Sequence, residues 1–79
     1  MKPIVLSSHA QDRIIERSIN RKDIIEAVRN PHIVCPTKHK RRKRLMKNLN
    51  NKTIDVIIEE KEKIILVVTC AILNKEDLK

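Results

Sequence analysis

The sequence predicts an α+β protein in which an N-terminal helical hairpin packs on a three- to four-stranded, mainly antiparallel sheet, in the order ααββββ. Three observations predict it. Ser8 and Asn20 are good helix caps, and each opens a short stretch with apolar residues at helical spacing. Asn30-Pro31 closes the helical part, because proline disfavours helix at the residue before it. Beyond it, short runs rich in Ile, Val and Leu are separated by polar turn residues.

Taken in order, Ile4 to Leu6 is a short strand or a packed lead-in. Ser8 with Gln11 three residues later makes a capping box, and helix one is expected from about His9 to Arg17. Ala10 and Ile14 share its inner side, with His9, Arg13 and Arg17 along the border of that side. Asn20 caps helix two, with Asp23 at the reciprocal position and Ile19 and Ile24 spaced as a hydrophobic staple. Ile24, Ile25, Ala27 and Val28 form its buried face. His32 to Cys35 reads as a strand ended by Pro36, and about Lys43 to Leu49 as a second, after a turn near Thr37 to Arg41. Asn50-Asn51 is the strongest tight-turn signal, since Asn tolerates the left-handed region. Thr53 to Glu59 follows, with Ile54, Val56 and Ile58 on one face, and Glu60-Lys61-Glu62 turns the chain back. Lys63 to Leu73 is apolar on both faces and is expected to be the central strand. Asn74 to Lys79 is polar and expected to fray. One domain, residues 1–79 with a core of about 4–73, is expected.

Composition narrows function. Eighteen Lys and Arg against ten Asp and Glu give +8. Such a balance on a short chain favours nucleic acid or an acidic protein over a neutral metabolite. There is no Phe, Tyr or Trp, so base stacking on aromatics is excluded. There is no glycine, so phosphate-cradling glycine loops are excluded too, and positions needing φ > 0 should fall to Asn or Asp or be avoided. Cys35 and Cys70 stand apart and are expected to be reduced thiols of a cytoplasmic protein. The apolar run at the N-terminus is too short for a signal peptide, and no membrane span is expected.

Two clusters carry chemistry. Lys38, Lys40, Arg41, Arg42, Lys43 and Arg44 put six cations into seven residues, a pattern suited to a phosphate backbone. The alternative is a solvated edge on which lysines block strand addition. His9, Arg13 and Arg17 recur every four residues, so on a helix they lie one above the other. An imidazole beside two guanidiniums can move a proton while holding a phosphate. Pairing of Arg13 or Arg17 with Asp12 or Glu16 is expected to be poor. Thr69 interrupts the most apolar segment and is either a satisfied strand hydroxyl or a group lining a cleft. His32, Cys35, His39 and Cys70 lack a close cysteine pair and sit among cations, so neither a metal site nor a cofactor is expected.

Ser8-His9-Ala10, Arg13, Glu16-Arg17, Ile19, Asp23-Ile24, Asn30-Pro31 and Val67-Val68-Thr69 together resemble the DUF4258 family over about residues 7 to 72. That family resembles the RelE-like and barnase-like endoribonuclease toxins. The resemblance implies a compact α+β fold with an RNA site on the sheet, and His9, Arg13, Arg17 and Thr69 as the matching functional positions. Family members usually carry Gly after the second arginine, where this chain has Ser18, and an aromatic near the end of the last strand, where it has Cys70 and Ala71. The expected function is a metal-independent endoribonuclease, a toxin of a toxin–antitoxin pair. The alternatives are a non-catalytic basic nucleic-acid-binding module and an interaction domain for a small acidic protein such as an antitoxin.

Overall fold

The computed structural model describes residues 2–49 and 52–74. The elements are β1 (Ile4–Leu6), α1 (Ser8–Arg17), α2 (Arg21–Arg29), β2 (Ile33–Pro36), β3 (Arg42–Leu49), β4 (Lys52–Glu60) and β5 (Ile65–Asn74). The strands form one sheet in the order β1-β5-β4-β3-β2. β2 to β5 make the expected antiparallel meander, and β1 pairs parallel to β5. The α+β class therefore holds, but the sheet has five strands and the order is βααββββ. Ile4 to Leu6 is too short to show a period of its own. It forms a strand because β5, apolar on both faces, has an edge left open beyond β4. β5 is consequently second from the edge, and β4 holds the centre. The Asn50-Asn51 turn and residues 75–79 of the segment expected to fray lie outside the described residues, while Asn74, expected to fray with them, ends β5 opposite Lys52.

Both helices cover one face of this sheet, α1 against β5 and α2 against β4 and β3. Ile54, Val56, Ile58, Val67, Cys70 and Leu45 supply the sheet side of the core, and Ala10, Ile14, Ile24, Ala27 and Val28 the helix side. Pairing fixes which residues share a face. Val56 lies opposite Cys70 and Leu45, all three buried beneath the helices. The next row, Cys35–Arg44–Ile57–Thr69, therefore points to the helix-free face. A bulge between Ile57 and Ile58 leaves Val68 as the extra residue of β5.

Helix α1 begins one residue earlier than the capping pattern predicts. Ser7, not Ser8, is the N-cap: its hydroxyl accepts from the Ala10 amide at 3.0 Å and donates to the Val68 carbonyl at 2.8 Å. The sheet selects it, since the Ser7 amide donates to the Val67 carbonyl and holds Ser7 extended. Gln11 is then one position too far for a capping box, and its amide donates to the Leu6 carbonyl instead. Ser7→Ala should lower stability by about 1–2 kcal/mol, because it removes a cap and a tether to β5 together. Urea unfolding checks this, and a loss no larger than that of Ser8→Ala would return the cap to Ser8.

Ser18 ends α1 in the left-handed conformation, at φ 52° and ψ 44°. The Ile19 amide donates to the Ile14 carbonyl and the Ser18 amide to that of Ile15, closing a Schellman motif. Ile19 and Ile14 are both buried, as that motif favours. The expectation that such a position falls to Asn or Asp is corrected here. Packing of Ile14 and Ile19 holds the serine in a conformation costing about 1 kcal/mol. Ser18→Gly should accordingly raise stability by about 0.5–1 kcal/mol, read as a higher urea midpoint at constant slope. A fall in midpoint would mean that Ser18 does not carry strain. Asn20 caps α2 by accepting from the Lys22 amide at 2.9 Å, and its staple residues Ile19 and Ile24 both reach the core.

Candidate nucleic-acid interface

Helix α1 presents the predicted stripe. His9 and Arg17 are exposed, and Arg13 is half-buried against β5. Cys70 lies beneath it, with its thiol donating to the Ala10 carbonyl. Burial pushes the Cys70 thiol pKa up, and the nearby Arg13 charge opposes that shift. Arg13 also approaches Glu16 at 3.7 Å, so the expectation that it pairs poorly is corrected. The two are three residues apart, which on a helix makes them neighbours. An exposed pair of this length is worth little and leaves the guanidinium able to exchange Glu16 for a phosphate.

The three histidines differ in commitment. His32 Nδ1 accepts from the Asn48 amide at 3.0 Å, tying the β2 approach to β3. His39 Nδ1 accepts from the Arg41 amide within the β2–β3 turn. The His9 ring makes no hydrogen bond among the described residues. Cys35 and Cys70 fall on opposite faces of the sheet, so His32, Cys35, His39 and Cys70 do not converge.

Thr69 is not brought to the stripe. It lies across Ile57 from Arg44 on the helix-free face, and the sheet separates it from α1. Its neighbour Cys70 is the residue that meets α1. The implied grouping of His9, Arg13, Arg17 and Thr69 is thus divided between two faces. The reason is strand alternation around the bulge, which puts Thr69 outward.

The basic tract is divided as well. Arg42 Nε donates to Glu59 at 3.1 Å, and Arg44 grips both Asp55 oxygens, each at 3.0 Å from its Nε. Arg42, and then Lys61, hold the Glu59 carboxyl below the usual carboxylate range. Lys38, Lys40, Arg41 and Lys43 are exposed and have no carboxylate within 4.0 Å among the described residues. Lys40, Arg41 and Lys43 line an open cleft with Glu60 at the end of β4 and Lys61 and Glu62 of the β4–β5 turn. Sequence reasoning missed Asp55 and Glu59 as the partners of the two arginines. The signal was present, because a strand pairing centred between residues 50 and 51 places Arg42 opposite Glu59.

Stripe and tract lie apart, for α1 carries the stripe and packs on β5, and β4 separates β5 from β3, where the tract ends. A family model for DUF4258, a domain of unknown function, matches residues 6–71. The chain belongs to the DUF4258 family. No curated protein and no solved structure gives a significant match. Among the described residues, no helix is long and apolar enough to cross a membrane.

Proposed function

We propose that this protein binds the phosphate backbone of nucleic acid, RNA in the first instance, through the β2–β3 hairpin. One observation carries the reading: Lys38, Lys40, Arg41 and Lys43 stand exposed without a carboxylate partner among the described residues, while Arg42 and Arg44 between them are held by Glu59 and Asp55. The two paired arginines stiffen β3, Lys43 projects from that strand, and Lys38, Lys40 and Arg41 stand on the turn before it. With no aromatic side chain, affinity rests on charge. A fluorescent single-stranded RNA titrated at several salt concentrations tests this. Log affinity should fall with log salt at a slope of about −3 for four contacts, and a flat salt dependence would overturn it.

The uncommitted ring of His9 favours a second reading, in which the bound RNA is cleaved without metal. The RNA 2′-OH attacks the adjacent phosphorus and the P–O5′ bond breaks, leaving a 2′,3′-cyclic phosphate and a 5′-OH. His9 takes the 2′-OH proton as general base, and a solvent water protonates the departing 5′-oxygen. Arg13 and Arg17 stabilise the charge that builds on the phosphoryl oxygens. Thr69, on the other face, takes no part in that step. The resemblance to RelE-like and barnase-like toxins that the sequence motifs imply motivates this reading, on which an acidic antitoxin is the partner expected for so basic a chain. His9→Ala should slow cleavage of RNA in EDTA by on the order of 100-fold, with cyclic-phosphate ends followed as product. Equal cleavage by the variant removes His9 from the chemistry, and intact RNA with wild type leaves the binding reading alone.

A further inference from the structure

The edge of β1 carries the clearest site outside the basic regions. In a parallel ladder only alternate residues bond the neighbouring strand. The Pro3 carbonyl accepts from the Ile65 amide at 2.9 Å, and the Ser7 amide donates to the Val67 carbonyl at 3.0 Å. The odd-numbered residues therefore serve β5, and the backbone groups of Ile4 and Leu6 point to the open edge. Gln11 takes the Leu6 carbonyl at 3.1 Å. The Leu6 amide and both backbone groups of Ile4 have no partner among the described residues.

Beside this edge lies a cleft of about 310 Å³ lined by Ile4, Val5, Leu6, Gln11, Arg21 and Ile25. Val5 and Ile25 are each 40% exposed, which corrects the expectation that Ile25 belongs to the buried face of α2. Arg21, at the first position of α2, has no carboxylate within 4.0 Å among the described residues. Unpaired strand groups, aliphatic walls and one free cation suit an extended polypeptide. They do not suit a nucleic-acid strand, whose backbone lacks the alternating N–H and C=O groups that pair with a strand edge. A second copy of this chain would bring +8 against +8. An acidic segment is drawn by the same charge.

We propose that the β1 edge docks an extended acidic segment of another protein, which joins the sheet as a further strand, seats aliphatic side chains beside Ile25 and sets a carboxylate on Arg21. Three kinds of contact then act together: backbone pairing gives register, the cleft selects aliphatic residues, and Arg21 selects an acid.

The probe is a blocked hexapeptide with glutamate at both ends and alternating valine and threonine between them. Six residues put the two ends on opposite faces, so one glutamate faces the helices in either direction. Amide NMR of the full chain should show shifts at Ile4 and Leu6, with slowed exchange of the Leu6 amide. Replacing the glutamates by lysine, or N-methylating the central peptide bonds, should abolish binding without any change to the protein. Arg21→Ala, at an exposed position, should weaken binding about tenfold, the ordinary worth of one charge-assisted hydrogen bond. Several outcomes overturn the proposal. These are no binding at millimolar peptide, unchanged affinity in Arg21→Ala, or shifts confined to Lys38–Lys43. Shifts at Ile4 and Leu6 that grow with protein concentration alone would instead assign the edge to a second copy.

Discussion

Ile54→Ala is expected to cost about 3–4 kcal/mol, a large share of the stability of a domain this small. Ile54 is fully buried, sits in the central strand, and lies opposite Ile72 of β5. Deleting its outer carbons removes transfer free energy and leaves a cavity that β4, paired on both sides, cannot close. A domain of this size holds only about 5–10 kcal/mol in total. Cys35 and Cys70 are free thiols, so no cross-link between them offsets the loss. The contrast is Val34→Ala on the edge strand, where the side chain is 56% exposed and the cost should stay below about 1 kcal/mol. Urea unfolding of the two variants checks both statements. A cost below about 1 kcal/mol for Ile54→Ala would mean that β4 does not lie at the centre of the core.

What the sequence revealed follows the range of each signal. Both helices were legible because caps and staples are local: Asn20, Ile19 and Ile24 act within five residues of one another. β3 and β4 were legible from alternation, as in Ile54, Val56 and Ile58. The Ser7 cap was not legible, because its preference over Ser8 comes from β5, some sixty residues away. For the same reason β1 stayed open between a short strand and a packed lead-in and was left out of the sheet order, since only the open side of β5 makes Ile4 to Leu6 a strand. The candidate site shows the same division. The spacing of His9, Arg13 and Arg17 is a helix property and survives folding. The side of the sheet taken by Thr69 depends on a bulge that no local pattern announces.

Neutralising the four uncommitted cations together, as K38Q/K40Q/R41Q/K43Q, should weaken RNA binding by on the order of a thousandfold at low salt. Each cation near a phosphate is worth about 1 kcal/mol in a solvated interface, so four approach 4 kcal/mol. The salt slope should shrink by about 3 at the same time, because the counterions those groups displace are no longer released. Stability should change little, for none of the four pairs with a carboxylate among the described residues. Glutamine is the better replacement than glutamate here, because Glu60 and Glu62 share the cleft with Lys40, Arg41 and Lys43, and added carboxylates would repel them. Arg44→Gln is the discriminating control. It frees Asp55 and should lower stability, yet it should leave the RNA slope almost unchanged, since Arg44 is engaged before RNA arrives. The reverse pattern, full binding by the quadruple variant and loss in Arg44→Gln, would move the interface to the helix-free face beside Thr69. In that case Asp55 would have to release the guanidinium as RNA binds, and the affinity would rise when Asp55 is replaced by Asn.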